Sequence, residues 1–404
     1  MSVAFHKKMK QKGSIALVLV LISIALITAI MLEIMSRSQV SATIVVNRRD
    51  SAKAYELARA AFQWSLFRLQ LDSSLDQIPV IPNTNYGGKK DDLSEVQWAI
   101  PLTYPLPFAT LAKSIEGEEG KTVKIQAPKE GIDIGGSFIS VIADESSKIN
   151  LNDVGSGGPP GNVRWSGAAE ILENLLISFR LKRFFKGKDH RELLWAIDDW
   201  TDSDSQVNHT GGGIEDAEYR VEDTPNSYHV KNGPFYTLQE IHMLKPMADE
   251  MFEELRPFVT VYPFDARIPR VSTTPVVPLG KVNINTAPME LIAALFSREA
   301  ISNLRERLDC AQKFVRTRQG IVFRSIKGTE PSFKSFLQKA CGAPATPEEG
   351  PAILTPSVEG ILEVRSDLFL VEATGSSGVI EKTIQAVVWR KDPTKVKTLF
   401  WKVT

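Results

Sequence analysis

From Ser14 to Leu32 the chain carries no charged residue. That is close to the ~20 apolar residues a helix needs to cross the ~30 Å hydrocarbon layer of a bilayer. His6, Lys7, Lys8, Lys10 and Lys12 precede it with no acid among them, and no glycine or proline follows until Pro79. Nothing in that span forces a break. One helix from Ser14 to Asp72 would reach about 90 Å at 1.5 Å per residue, half in lipid and half against a soluble body. Past Glu33 the apolar positions thin into a stripe of Val40, Ile44, Val45, Ala52, Leu57, Ala61, Trp64 and Phe67. These fall at roughly helical spacing, with Arg37, Arg48, Arg49, Asp50 and Lys53 elsewhere on the wheel. A single-pass anchor with a helical stalk and a filament-building helix both satisfy this pattern.

The basic head should remain cytoplasmic, so the remainder faces outward. A cleavable secretory signal has a shorter apolar core and a small-residue cut site after it. Here the suitable junction, Gly13–Ser14, precedes the core, so the product of a cut there keeps its hydrophobic segment.

The chain has 404 residues with 48 basic and 48 acidic side chains, an ordinary globular balance with room for two or three compact units. Zero net charge argues against a protein that neutralises nucleic-acid phosphates over its whole surface. Two cysteines, Cys310 and Cys341, could pair if the body is exported, or stay as buried thiols if it is cytosolic. No GxSxG, HExxH or Cys–His arrangement occurs.

Residues 73–135 are rich in proline and glycine and read as irregular, with one short strand. Phe138, Ile139, Val141 and Ile142 mark a strand running into a turn at SKINLND. GSGGPPG, residues 155–161, reads as a linker. The helical patterns AAEILENLLISFRLKRF, HRELLWAIDDW and TLQEIHMLKPMADEMFEELRPFV follow, without strand signal, to about Val259. After a proline-rich connector, NINTAPMELIAALF opens a second helical unit reaching about Ala343. Asn285 or Thr286 suits its cap and Pro288 its first turn. Three antiparallel strands fit near 367–374, 379–390 and 397–403, with Phe400 and Trp401 filling a sheet face. Strands before and after helical blocks imply one α/β body interrupted by insertions, in which the strand near 138 pairs with the late ones.

AIDDWTDSDSQVNHTGGGIEDAEYR concentrates Asp198, Asp199, Asp202, Asp204, Glu215, Asp216 and Glu218. Converging carboxylates repel unless a cation lies among them. Calcium, which takes six to eight oxygens in an irregular loop, suits them, with Asn208 and backbone carbonyls completing the set. The spacing is not that of an EF-hand. A solvated acidic loop and a catalytic carboxylate pair remain the alternatives. Trp195 and Trp200 read as core of the helical unit.

KGSIALVLVLISIALITAIMLE resembles the N-terminus of type IV pilins and type II secretion pseudopilins. The resemblance implies cutting by the prepilin peptidase after Gly13 and methylation of the new N-terminus, Ser14. Most members carry Glu at the fifth mature position; here that position is Val18. The class lacking that acid is the large minor pseudopilin, protein K of type II secretion. AIDDWTDSD, GGIEDAEY, VKNGPFYTLQEIHMLKPM, SKINLND and VNINTAP match its landmarks in order. The implied fold class is α+β: a pilin-like long N-terminal helix plus an antiparallel sheet, interrupted by large helical insertions. The expected organisation is a leader at 1–13, the membrane and stalk helix at 14–72 and the first part of the body at 73–160. Helical inserts at 161–262 and 279–350 and closing strands at 355–404 complete it. The resemblance also implies calcium held by Asp199, Asp202, Asp204, Glu215 and Asp216, with Asp198 and Glu218 as further candidates. It implies a non-enzymatic tip subunit of the inner membrane with its body in the periplasm. The implied partners are the I- and J-type minor pseudopilins, the major pseudopilin and the inner-membrane secretion platform, with no nucleic acid. Rival readings are a minor pilin of a type IV pilus and a membrane-anchored DNA-binding protein. The latter rests on helix starts at KVNINTAPMELIAAL and GPFYTLQEIHMLKPM that resemble helix-hairpin-helix modules but lack their G-x-G hairpin.

Overall fold

A computed structural model describes residues 3–76, 98, 100–104, 134–157, 164–178, 180–203, 228–265, 278–319, 321–328, 331–344, 350–392 and 395–404. Helix α1 runs unbroken from Val3 to Asp76. It presents its side chains to the surroundings from Ala16 to Arg49 and becomes one-sided from Asp50 onward. The buried face is Asp50, Ala54, Leu57, Ala58, Ala61, Phe62, Ser65, Leu69 and Asp72, which recurs every three or four residues as a helix stripe must. This corrects the stripe read from sequence. Leu57 and Ala61 face inward, but Val40, Ile44, Val45, Ala52, Trp64 and Phe67 are exposed. The helix carries apolar residues on two faces, and only one meets the sheet.

That sheet has five strands in chain order: β1 (Leu102–Tyr104), β2 (Ser137–Asp144), β3 (Leu368–Ser377), β4 (Ile380–Asp392) and β5 (Lys395–Val403). Every neighbouring pair is antiparallel. The body is therefore closed by β2 pairing with β3, from Ser137 opposite Ser376 to Asp144 opposite Phe369, with residues 145–367 inserted between them. Alternation places Phe369, Val371 and Ala373 of β3 and Ile384, Ala386 and Val388 of β4 on one face, against Ala58, Ala61, Phe62 and Leu69 of α1. Gly375 makes that approach possible. A Cβ there would stand 2.2 Å from the Ala54 carbonyl oxygen and 2.4 Å from the Ala58 nitrogen.

The polarity of the body follows from two contacts. The β3–β4 turn at Gly378 (φ +60°) lies against Asp50 of α1. At the other end of β4, Arg390 donates to the Leu69 carbonyl at 2.6 Å. The inserted residues leave and re-enter at that second end, away from the exposed stretch of α1.

The insert is a pair of helical units built on one plan. In the first, Ile149–Asn150 pairs in parallel with Val259–Thr260 around α2 (Gly167–Leu176), α3 (Arg191–Thr201) and α4 (Asp249–Leu255). In the second, Val282–Asn283 pairs in parallel with Leu362–Glu363 around α5 (Met289–Ala294), α6 (Leu304–Arg318), α7 (Phe333–Cys341) and α8 (Pro356–Gly360). The same asparagine pair opens each. Asn150 Oδ1 accepts from the Asn152 amide, and Asn152 clasps the Phe235 backbone and the Val261 carbonyl. Asn283 Oδ1 accepts from the Asn285 amide, and Asn285 clasps the Phe323 backbone and the Val364 carbonyl. Asn285 is thus a clasp, and the residue preceding α5 is Pro288, which corrects the cap expected at Asn285 or Thr286. The long helical patterns also break up: Leu238–Met243 and Arg256–Phe258 are 3-10 turns, and short strand pieces at Arg164–Trp165 and Val259–Thr260 lie where none was expected.

One hydrophobic core runs through both units and reaches Leu368 and Val387 of the sheet. Leu370, Trp389, Leu399 and Phe400 border it, so the helical units also cover the sheet face opposite α1. Trp401 turns the other way and meets Phe62 edge-on at 4.9 Å. The sulfurs of Cys310 and Cys341 are bonded, tying α6 to α7 across 31 residues.

Candidate functional sites: anchor, neck and acidic helix end

Among the described residues, α1 alone is long and apolar enough to cross a membrane. Within its apolar stretch the few hydroxyls return to their own helix: Ser23 donates to the Leu19 carbonyl and Thr28 to the Ile24 carbonyl, each at 2.9 Å. A helix facing lipid has no water to satisfy such groups. Gly13 and Ser14 lie on continuous helical backbone. Val18 is half exposed. The first acid after Ser14 is Glu33, which pairs with Arg37 at 2.6 Å one turn on.

The neck, where the insert joins the body, is polar and buried. Asp144, the last residue of β2, accepts from the Ser146 amide at 2.8 Å and from the hydroxyls of Thr286 and Ser366. Asn283 in turn donates to the Ser366 hydroxyl at 2.7 Å. One carboxylate therefore joins β2, the opening of the second unit and the lead-in to β3. Burial raises the Asp144 pKa to about 6, and the charge of Glu145 adds to this. The hydroxyls of Ser366 and Thr286 and the Ser146 amide oppose the rise without cancelling it. Beside it Arg390 ion-pairs with Asp72 at 2.6 Å, and both are almost fully buried. The same guanidinium donates to the carbonyls of Leu69 and Ser366 and lies 5.0 Å over the Phe369 ring. A buried pair is tolerated only when further hydrogen bonds satisfy it, and here the bonds to the Leu69 and Ser366 carbonyls do so.

The acidic stretch begins at the C-terminal end of α3. Asp198, Asp199 and Asp202 are all buried there, and the Asp202 amide donates to the Asp198 carbonyl at 3.0 Å. Helix carbonyls already place negative partial charge at such an end, so carboxylates are disfavoured unless a cation compensates. Residues 228–235 return to the same place: the Gly233 amide donates to the Trp200 carbonyl at 3.1 Å, and Phe235 stacks on Trp200 at 6.1 Å. Trp200 is core, and Trp195 packs on Trp165 at 4.6 Å. Asp204, Asn208, Glu215, Asp216 and Glu218 lie outside the described residues. Among the described residues no group of three or more ligating side chains converges as a metal site. The hard oxygens of Asp199 and Asp202 at a helix C-terminus suit calcium in kind.

The neck is not legible in the sequence, because Asp144, Thr286, Ser366 and Arg390 are far apart in the chain. The strand-final position of Asp144 and a lone arginine inside VVWRK are its signals in the sequence.

Residues 147–264 match the family model described as type II secretion system, protein K. The whole fold is similar to a chain in the crystal structure of the GspK-GspI-GspJ complex from the type 2 secretion system of enterotoxigenic Escherichia coli. The TM-score is 0.52 and the identity 18%, over 89% of this chain and 99% of that one. No curated protein matches the chain.

Proposed function

We propose that this chain is a minor pseudopilin of the protein K class of type II secretion, as the family match over residues 147–264 and the similar fold support, and that it occupies the tip of the pseudopilus. There it nucleates and caps the filament as a structural, non-enzymatic subunit. One observation carries the reading: residues 145–367 emerge from the end of the sheet remote from the exposed part of α1 and also cover its outer face. A subunit stacked beyond that end would meet the insert, whereas a terminal position leaves it free. Val18 agrees with this, since a buried carboxylate at the fifth mature position needs a neighbour's amine to pair with.

The partners that fit are I- and J-type minor pseudopilins, in keeping with the three-protein complex of the similar structure, followed by the major pseudopilin and the inner-membrane platform. Cutting at Gly13 by the prepilin peptidase, with methylation of Ser14, would leave α1 in the inner membrane and the body in the periplasm. Calcium belongs to the same proposal. Asp199 and Asp202, joined by Asp204, Glu215 and Asp216, would hold it, and the ion would offset the carboxylate charge at the end of α3. By binding the folded state alone it would raise stability.

The test is to isolate the protein from membranes and determine its N-terminus and its place in labelled filaments. A chain beginning at Ser14 and found singly at filament ends is expected. Retention of residues 1–13, loss of the apolar segment, or labelling along the shaft would overturn the proposal. Calcium is tested separately by thermal unfolding of wild type and Asp202→Ala. A calcium-dependent rise only in wild type is expected, and no rise in either removes the metal.

A further inference from the structure

Between α2 and α3 the chain reads RLKRFFKGKDHR, residues 180–191, with six basic side chains and one acid, Asp189. In a chain of zero net charge this is a marked local concentration. The base of the loop is held in place. Leu181 is 1% exposed, and Phe184 and Phe185 pack against the insert core. Arg183 bonds Glu254 of α4 at 3.0 Å and lies 4.8 Å over the Phe184 ring. Arg180 approaches Glu254 at 3.7 Å and Glu290 of α5 at 3.8 Å. Arg191 donates to Glu173 of α2 at 3.1 Å. The arginines are therefore committed to acids of the insert.

The lysines are not. Lys182, Lys186 and Lys188 are exposed, and among the described residues no ion pair holds them. Lys182 opens the 3-10 turn Lys182–Phe185, and the Lys188 amide donates to the Phe185 carbonyl at 3.1 Å. Gly187 takes φ +78°, the left-handed region that glycine enters without strain. A Cβ there would meet nothing within 4 Å, so the turn at Lys186 and Lys188 projects into open space. The loop is thus a convex tip carrying lysine charge on a base fixed by arginine pairs. An ammonium is a hydrated point charge that accepts any phosphate geometry, whereas a guanidinium fork demands a matched partner. The charges left for binding suit a fluid lattice of phosphates, and a convex tip offers no groove to a shaped protein surface. Three lysines also neutralise too few phosphates to hold a nucleic-acid duplex.

We propose that residues 180–191 dock on an anionic phospholipid surface through Lys182, Lys186 and Lys188. Polybasic segments gain affinity for such surfaces residue by residue, about fivefold for each lysine within a Debye length of the headgroups. The three together supply roughly a hundredfold at low salt. The insert leaves the sheet at the end remote from the exposed stretch of α1, so the surface met is that of a second bilayer. This last step rests on α1 as a membrane anchor, and nothing in it depends on filament position or on calcium.

The experiment reconstitutes the full-length protein into phosphatidylcholine vesicles and adds acceptor vesicles of phosphatidylcholine with or without phosphatidylglycerol. Flotation of the protein with its own vesicles reports insertion, and energy transfer between dyes in the two vesicle populations reports tethering. Wild type should tether only acceptors that contain phosphatidylglycerol, and tethering should fade as sodium chloride is raised. Lys182→Gln, Lys186→Gln and Lys188→Gln together should raise the half-saturating acceptor concentration roughly a hundredfold. Lys395→Gln, Lys397→Gln and Lys402→Gln together remove the same charge from exposed positions of β5 and should leave it near the wild-type value. Insertion without tethering, as an acidic protein partner would give, overturns the docking site. So does tethering of phosphatidylcholine alone, or an equal loss in both triple variants. Protein that fails to float with its own vesicles refutes the anchor instead, and the second bilayer with it.

Discussion

The neck carboxylate makes a quantitative prediction with an unusual sign. Most native carboxylates are held below their ordinary pKa and lose stability in acid. Asp144 is raised from 3.8 to about 6, chiefly by burial. Roughly two units correspond to about 3 kcal/mol between its two protonation states. Between those values the folded chain binds a proton that the unfolded chain has released. The stability contributed by this group is therefore fully present below about pH 4 and is lost as pH rises through about 6. Asp144 is buried, with 8% of its surface exposed, so solvent screening reduces the figure little. Integrated between about pH 4.5 and 7.5, the loss is about 2 kcal/mol.

Asp144→Asn removes the titration. The amide nitrogen can donate to the hydroxyls of Thr286 and Ser366, which rotate to accept, while Oδ1 keeps the Ser146 amide. The measurement is the unfolding free energy of wild type and Asp144→Asn by urea titration at several pH values. The readout is their difference, which cancels the other carboxylates. Wild type should lose about 2 kcal/mol relative to the variant on going from acid to neutral pH. Parallel profiles, or a wild type that gains on the variant as pH rises, would refute the account of the neck.

Two further outcomes follow from packing and covalent linkage. Gly375→Ala places a Cβ 2.2 Å from the Ala54 carbonyl and 2.4 Å from the Ala58 nitrogen, both backbone atoms that cannot swing aside. A loss of about 1–3 kcal/mol and faster proteolysis between Asp50 and Asp72 are expected as α1 lifts from the sheet, and unchanged stability would refute that seam. Reducing Cys310–Cys341, or replacing both by serine, opens a 31-residue loop. The entropy returned to the unfolded chain is about 3.5 kcal/mol, read as a fall in Tm with reductant, and an unmoved Tm would reject it.

Sequence periodicity revealed the parts whose structure is local. The long helix was legible because no breaker interrupts it, and β3 to β5 because their side chains alternate between two faces. The choice of α1 face was not legible. Val40, Ile44, Trp64 and Phe67 are as apolar as Leu57 and Ala61, and the helix buries Asp50, Ser65 and Asp72 in preference to them. Hydrophobicity cannot rank two apolar faces when one serves the sheet and the other lies outside it. The sheet chooses, through Gly375 and through Ser140, which bonds Ser65 at 2.9 Å. The repeated N-x-N spacing in SKINLND and VNINTAP was visible, but its use as a clasp was hidden. Asn152 and Asn285 bind backbone 83 and 38 residues away, and local cap rules are blind to that distance.

The neck shows why such long-range polar contacts matter mechanically. An insert joined to its body only through two chain crossings would swing about them. Here Arg390 ties the end of α1 to Ser366, Asp144 ties β2 to Ser366 and Thr286, and the insert core continues onto Leu368 and Val387 of the sheet. Apolar packing resists separation but permits sliding, since it is non-directional. Directional bonds at a buried junction resist rotation, and each is expensive to leave unmade. The two together fix the helical units rigidly on the far end of the body, so that a load on the insert passes through Ser366 and Arg390 directly into the last turns of α1.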